Sequence, residues 1–245
     1  MSDPGAVPAL LVASFNPGKA RELGALVAAA GYEVVTLADI GGAAGGAPGD
    51  APGVAAGGAT AAYEEAGATY EENGEGKARH YARLSGRVTI ADDSGIEVDA
   101  LGGRPGVQSA RYGGAGLDDA GRNRRLLEAL RGVPEEKRTA RYVAVAVVAR
   151  PDGASRAFRG VCEGRIADSP RGAGGFGYDP LFFHPPLGAT FAEVDAARKH
   201  EVSHRGRALR ALAAFLASAE GRRFLAADAG PGAGPGARAK FRGPA

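Results

Sequence analysis

Between residues 139 and 168 the chain reads TARYVAVAVVAR, then PDGA, then SRAFRGVCEGRIAD, two long runs of extended-chain character separated by turn residues. That pattern predicts an antiparallel hairpin over 139–150 and 155–168. Upstream, ALLVASF (9–15) predicts a buried strand. KARELGALVAAAG (19–31) sets Leu23, Leu26 and Val27 at helical spacing, with Gly31 placed to stop the helix. YEVVTL (32–37) then predicts a second strand. A strand–loop–helix–strand unit followed by a long hairpin does not fit a purely parallel sheet, so the expected architecture is a mixed α/β sheet.

Further elements follow the same logic. TYEENGEGKARHYARLSG (69–86) predicts a charged helix weakened by Gly74 and Gly76, and RVTIADDS (87–94) a strand running into a turn. LDDAGRNRRLLEALRG (117–132) predicts a helix with Asp118 or Asp119 near its start and Gly132 at its end. RALRALAAFLASAEG (207–221) predicts the closing helix, with Leu209, Leu212, Phe215 and Leu216 on one face. Two stretches stand apart: 41–60 and the last twenty residues from 226 are mostly Gly, Ala and Pro, with almost nothing large to bury. Ordering them would lose backbone entropy without return, so a mobile surface insertion and a disordered tail are expected around a single domain over 1–225.

Composition excludes several classes. No apolar stretch approaches the roughly 20 residues that a bilayer requires, and the start MSDPGAVPAL lacks a secretory pattern, so a cytoplasmic protein without membrane contact is expected. A formal net charge of +2 argues against a broad basic face for duplex nucleic acid, while a local cluster of cations can still hold a small polyanion. The lone Cys162 cannot form an internal disulfide and reads as a small packed hydrophobe. Four histidines without HxH or HExxH spacing, and no GxSxG elbow, give no support to a zinc site or a serine hydrolase.

Four segments can carry chemistry. SFNPGK (14–19) lies between a strand and a helix, where backbone N–H groups and the positive helix end face the loop. Lys19 opposes that dipole but suits an anion; the plain alternative is an ordinary turn built on Asn16 and Pro17. ADDSG (91–95) puts Asp92 and Asp93 at a strand's end, pointing to opposite faces, where one can look into a cleft while the other braces the loop. A carboxylate so placed beside a polyphosphate suits a hard cation such as Mg²⁺, although DDSG is also good turn chemistry. GGFGYDPLFF (174–183) interleaves aromatics, glycines and an acid. Phe176 or Tyr178 can stack on a planar ring and Asp179 can accept from ring N–H groups, or the two rings are core residues at a turn. KHEVSHRGRAL (199–209) gathers Lys199, His204 and Arg205 ahead of a helix that Ser203 can cap.

Taken in order, SFNPGKARELGALV, EEAGATYEENGEGKARHYA, IADDSGIEVDALGGRPGVQSARYGG, GGFGYDPLFF and SHRGRALRAL resemble the inosine triphosphate pyrophosphatase family, collinearly from about Leu10 to Phe215. The resemblance implies an elongated mixed sheet flanked by helices, with two lobes about a central cleft. It also implies a Mg²⁺-dependent homodimer that cleaves purine nucleoside triphosphates carrying hypoxanthine or xanthine (ITP, dITP, XTP) to monophosphate and pyrophosphate. By the same resemblance the phosphate loop falls on Ser14, Phe15, Asn16, Pro17, Gly18 and Lys19. The catalytic acid, also a metal ligand, falls on Asp93, with Asp92 in a supporting position and Ser94 in contact with substrate. A second metal carboxylate falls on Glu65, and Glu72, Asn73 and Lys77 lie in the motif beside it. The base pocket falls on Phe176, Gly177, Tyr178, Asp179, Lys199, His204 and Arg205. Phe15 departs from a commonly small residue, and Gly74 from a usual alanine. Two rival readings are a Maf-like pyrophosphatase acting on pyrimidine or modified nucleotides, and a non-catalytic nucleotide or single-stranded RNA binder that stacks bases on Phe176 and Tyr178.

Overall fold

The structure, a computed structural model, describes residues 9–41, 63–114 and 116–227. Apart from Gly41 the expected insertion at 41–60 lies outside the described residues, as does the expected tail beyond Ala227. The first strand, β1 (Ala9–Val12), feeds α1 (Pro17–Ala29), which returns the chain to β2 (Glu33–Thr36) and the short α2 (Leu37–Gly41). Asn16 starts α1 by accepting from the amides of Gly18 and Lys19 through its side chain, and Pro17 supplies the preset φ of a first helical position. After residue 62 come α3 (Tyr70–Ser85), β3 (Thr89–Val98), α4 (Asp119–Ala129) and the hairpin β4 (Thr139–Ala149) and β5 (Ser155–Ile166). The chain closes with β6 (Phe182–His184), β7 (Ala189–Thr190), α5 (Ala196–Val202), α6 (His204–Ala217) and α7 (Ala219–Ala226). The capping box of Thr69 with Glu72 starts α3 and left-handed Gly86 ends it, which offsets the weakness that Gly74 and Gly76 bring.

Seven strands form one sheet in the order β2-β1-β3-β4-β5-β6-β7. β1 pairs in parallel with both β2 and β3, and every later pairing is antiparallel. The mixed sheet and the hairpin therefore stand as the sequence predicts. One expectation does not: β3 does not stop at Ser94. It runs on to Val98, paired residue for residue with β4 from Thr89↔Ala149 to Val98↔Ala140. The local turn chemistry of DDSG is overridden because β4 offers eleven consecutive extended residues as a template. Asp92 and Asp93 thus sit in the middle of a buried strand. The predicted closing helix also begins earlier than expected, at His204, and is divided at Ser218, whose hydroxyl accepts from the amide of Gly221 and starts α7.

The two faces of the sheet carry separate cores. Leu23 and Val27 of α1, Leu209, Leu212 and Leu216 of α6 and Phe224 of α7 cover Ile90, Ala144, Ala146 and Val148. Ala78, Tyr81 and Ala82 of α3 cover Ala91, Val143, Val145 and Val147 on the other face. Each large apolar side chain buried in this way contributes on the order of 1.5–3 kcal/mol. A third cluster, with Leu126 and Leu130 of α4, Ile96, Ile166, Phe182 and Phe191, builds the far end of the molecule, and Cys162 lies in it as the packed hydrophobe expected. No helix among the described residues is long and apolar enough to cross a membrane.

This topology leaves a gap where it matters. β1 pairs with β3 only through Leu11↔Thr89 and Val12↔Ile90, and then turns away into α1. From Ala91 onward β3 has β4 on one side and, among the described residues, no paired strand on the other, only an isolated bridge from Glu97 to Pro105. β2 and β3 lie on opposite sides of β1, so the strand order reverses there, and open α/β sheets bind ligands off the carboxyl ends of strands at such a reversal.

Candidate active site

At that reversal, alternation along β3 sends Asp92 toward α6 and Asp93 toward α3. Asp92 is fully buried, and its Oδ2 meets Lys19 Nζ and Arg205 Nε, each at 3.2 Å. Burial alone would raise its carboxyl; Lys19, Arg205 and Lys77 outweigh that and hold it well below the usual carboxylate range. Burial lowers the Lys19 ammonium, and Asp92 is the chief opposing influence. Asp93 faces a different environment: its Oδ2 accepts from Asn73 Nδ2 at 3.0 Å and its Oδ1 from the amide of Ser94 at 2.7 Å. Burial raises the Asp93 carboxyl and the nearby Glu65 adds to the rise, against Lys19, Lys77 and Asn73. Neighbouring carboxylates are thereby driven apart in acidity, the pattern of a fixed counter-ion beside a reactive acid.

Arg205 is held on three sides. Its guanidinium donates to Asp92 Oδ2, to Glu22 Oε2 at 3.0 Å and to Ser94 Oγ at 3.0 Å, and its charged end lies 5.3 Å from the centre of the Phe176 ring. Its donors are accordingly engaged in bracing Ser94 and Asp92. The amides of Gly18 and Lys19 are likewise taken by Asn16 Oδ1, at 2.9 and 3.1 Å, so the group this loop offers to an anion is the Lys19 side chain, already braced by Asp92. Gly18 packs tightly against the aromatic loop: a Cβ there would stand 3.0 Å from the Phe176 ring.

The aromatic loop forms the opposite wall. Asp179 Oδ2 accepts from the amide of Phe176 at 2.9 Å and from Lys199 Nζ at 2.5 Å, and the Tyr142 hydroxyl reaches its Oδ1 at 3.4 Å. Asp179 therefore shapes the loop from within. The side chain of Lys199 lies 4.6 Å from the centre of the Phe176 ring, joining the two motifs. His204 is buried and stacks on Tyr142 with 4.4 Å between ring centres and 8° between planes. Burial pushes His204 well below its ordinary value, Arg205 and Lys199 add to this, and the ring is neutral. Its Nδ1 is buried without a hydrogen-bond partner among the described residues. Of the two aromatics proposed for stacking, Phe176 is half-buried, whereas Tyr178 is 4% exposed and its hydroxyl donates to the carbonyl of Ser109 at 2.8 Å.

A single cavity of about 210 Å³ joins these groups, and Asn16, Lys19, Glu65, Asp93, Ser94 and Phe176 are among its walls. Gly177, Tyr178, Asp179, Lys199, His204 and Arg205 line it as well. Ser14, Phe15, Pro17 and Gly18 do not, and the Phe15 ring is 59% exposed, edge-on to Tyr81. Sequence reasoning missed Tyr142, which reads as one more residue of an apolar strand, Ser109, which lies inside a quoted motif but was given no role, and Asp119 and Arg122, which lie outside every motif.

Glu65 sits across the cavity on a segment stitched in place: Lys77 Nζ holds its Oε1 at 2.6 Å, Arg111 donates to its carbonyl at 2.9 Å, and Asn73 Oδ1 accepts from the amide of Gly67 at 2.7 Å. Asn73 thus links the Glu65 segment to Asp93 with one buried amide. Among the described residues no group of three or more His, Cys, Asp or Glu is placed to hold a metal ion. Of the carboxylates lining the cavity, Asp119 and Asp179 are taken up by Arg122 and Lys199, which leaves Asp93 and Glu65 as the oxygen ligands on offer, and a hard divalent cation that keeps its waters and takes phosphate oxygens requires one or two such carboxylates. The residues present fit such an ion.

An open mixed sheet with a cation, two separated carboxylates and an aromatic slot around one cavity defines an α/β protein suited to hold a small polyanion at the carboxyl end of its first strand. The Ham1 family model matches residues 10–215. A dITP/XTP pyrophosphatase of Thermus thermophilus is 48% identical over 203 residues, covering 83% of this chain and 89% of its own. Among solved structures, a Ham1 protein from Coxiella burnetii aligns with a TM-score of 0.73 at 34% identity, covering 86% of this chain and 98% of that one. A nucleoside-triphosphatase / dITP/XTP pyrophosphatase from Mycobacterium abscessus aligns with a TM-score of 0.63 at 38% identity, covering 86% of this chain and 100% of that one. The chain belongs to the Ham1 family.

Proposed function

We propose that this protein is a nucleoside triphosphate pyrophosphatase that hydrolyses dITP, ITP and XTP to the monophosphate and pyrophosphate, removing them from the cytoplasmic nucleotide pool. The carrying observation is convergence: Lys19, Asp93, Glu65 and the Phe176–Asp179 loop, drawn from four separate segments, meet in one cavity beside β3 where β1 leaves it. Relatives named dITP/XTP pyrophosphatase support it.

In this reading Lys19, held in place by Asp92, takes the phosphates at the mouth of the cleft. Asp93 accepts a proton from the attacking water, and burial and Glu65 shift its carboxyl in the direction that favours such a base. Asp93 and Glu65 would hold Mg²⁺, which offsets charge on the leaving pyrophosphate when bound. At the far end the base lies against Phe176, between Gly177, Tyr178, Lys199 and His204, with Ser94 near the sugar. Lys199 donates to an oxygen at purine C6, where adenine presents an amino group that finds a second donor, and mismatches of that kind discriminate strongly. Asp179 and Arg205 act there by fixing Phe176, Lys199 and Ser94. We take the whole of 1–225 as one such domain and the assembly as a homodimer.

Pyrophosphate release across dITP, ITP, XTP, ATP, GTP, UTP and TTP, with and without Mg²⁺, tests this reading. Metal-dependent release from dITP and XTP with little from ATP is expected. Preference for UTP or TTP would favour the Maf-like alternative, and tight oligonucleotide binding without any release the non-catalytic one.

A further inference from the structure

The loop that would read the base is gripped from outside the motifs of the family. Gly177 lies in the left-handed region at φ +64°, between Phe176 and Tyr178. Both of its backbone polar groups are bound by one helix: its amide donates to Asp119 Oδ2 at 2.7 Å, and its carbonyl accepts from Asn123 Nδ2 at 3.1 Å. The Asn123 amide can be oriented only one way, because a carbonyl needs a donor. Asn123 is 5% exposed, and its sequence distance from Gly177 is 54 residues.

The post that holds this latch is stiff. Asp118 Oδ1 accepts from the amide of Gly121 at 2.7 Å and fixes the start of α4, while Arg122 Nη2 holds the second oxygen of Asp119 at 2.6 Å. One turn further on, Leu126 and Leu130 are fully buried in the same cluster as Tyr178, Leu181 and Phe182. Helix and loop are thus set by shared packing and by two hydrogen bonds aimed at a single residue. Among the described residues, α4 makes no hydrogen bond or ion pair to Lys19, Asp93 or Glu65. Its grip falls on the base end of the cavity and leaves the phosphate end alone.

We infer that Asp119 and Asn123 are positioning residues for base selection, holding the Phe176–Tyr178 backbone in register through Gly177; this rests on the function proposed above. Losing either hydrogen bond lets the loop sample other conformations, which weakens the contacts that tell hypoxanthine from adenine. A net hydrogen bond of the usual strength corresponds to about two- to twelvefold in an equilibrium, so the pair sets an expected scale of roughly tenfold.

The test compares the wild type with Asp119→Ala, Asn123→Ala, the double variant and the conservative Asp119→Asn, using pyrophosphate release from dITP and from ATP with Mg²⁺ and recording Tm for each. The expected result is a rise of about tenfold in KM for dITP in the double variant, kcat falling by less than half as much, a reduced dITP-to-ATP preference, and partial rescue in Asp119→Asn, which keeps an acceptor for the Gly177 amide. Hydrogen exchange at the Gly177 amide rises in Asp119→Ala. An equal fall in kcat for both substrates with unchanged KM would assign the residues a merely structural role and overturn the inference. So would an Asp119→Asn as impaired as Asp119→Ala, which would mean that the acceptor for the Gly177 amide is not what matters at this position. A wild type without preference for dITP over ATP overturns the function proposed above, whereas an intact wild-type preference that persists in the double variant overturns the latch alone.

Discussion

Asp92→Asn isolates the electrostatic brace from Asp93, the acid proposed to react. The Asp92 carboxylate is fully buried and is shared, through one oxygen, by Lys19 and Arg205 at 3.2 Å each. Removing one member of a buried ion pair typically costs about 3–5 kcal/mol, because the partner is left charged and desolvated. Arg205 keeps Glu22 and Ser94, and the Lys19 side chain is 16% exposed, so the lower end, about 3 kcal/mol, applies. For a chain of this length each kcal/mol moves Tm by about 2–4 °C, which gives a fall of roughly 6–12 °C. The same change removes the chief influence that keeps Lys19 protonated, so KM for dITP rises along with the loss of stability. Thermal unfolding at pH 7.5 and steady-state kinetics on the purified variant check both. A Tm within about 1 °C of the wild type, with unchanged KM, would refute the reasoning, since it would mean that these cations do not depend on Asp92.

Two further outcomes follow from the same structure. Gly95→Ala would place a Cβ 2.3 Å from the carbonyl oxygen of Gly106 and 2.6 Å from Ser109 Oγ, and the first is backbone, so overpacking of about 3 kcal/mol should appear as a large drop in Tm or in soluble yield. His204 has its folded value held below the unfolded one by burial, so its contribution to stability is present above about pH 6.5 and is lost as pH falls through that value, by up to about 1.4 kcal/mol per pH unit. Denaturant unfolding of the wild type and of His204→Phe at pH 8 and pH 5.5 should show the steeper loss in the wild type; parallel losses would mean that His204 is not the group responsible.

Much of this molecule could be read before it was seen, because the signals were local. Apolar runs around a turn gave β4 and β5, and helical spacing with a stop glycine gave α1. Ser203 caps α6 through the amide of Gly206, as its place before the helix suggests. The continuation of β3 was not legible, because nothing in DDSG reports that an eleven-residue strand lies beside it. At the site, residue types were legible but not their partners. Arg205 and Asp179 were expected to meet the base, and the structure shows their polar atoms engaged by Asp92, Glu22 and Ser94, and by Phe176 and Lys199. The grip of α4 on Gly177 joins positions more than fifty residues apart and leaves no periodic trace in the sequence.

The central claim is that Asp93 does the chemistry at the cleft that Lys19 and the aromatic loop build, and the rate of pyrophosphate release from dITP by Asp93→Asn tests it most directly. A positioned general base contributes roughly 10²–10⁴-fold, so a folded variant that still binds dITP should lose on the order of a thousandfold in kcat. A folded variant that turns over dITP within a few-fold of the wild type would contradict the account.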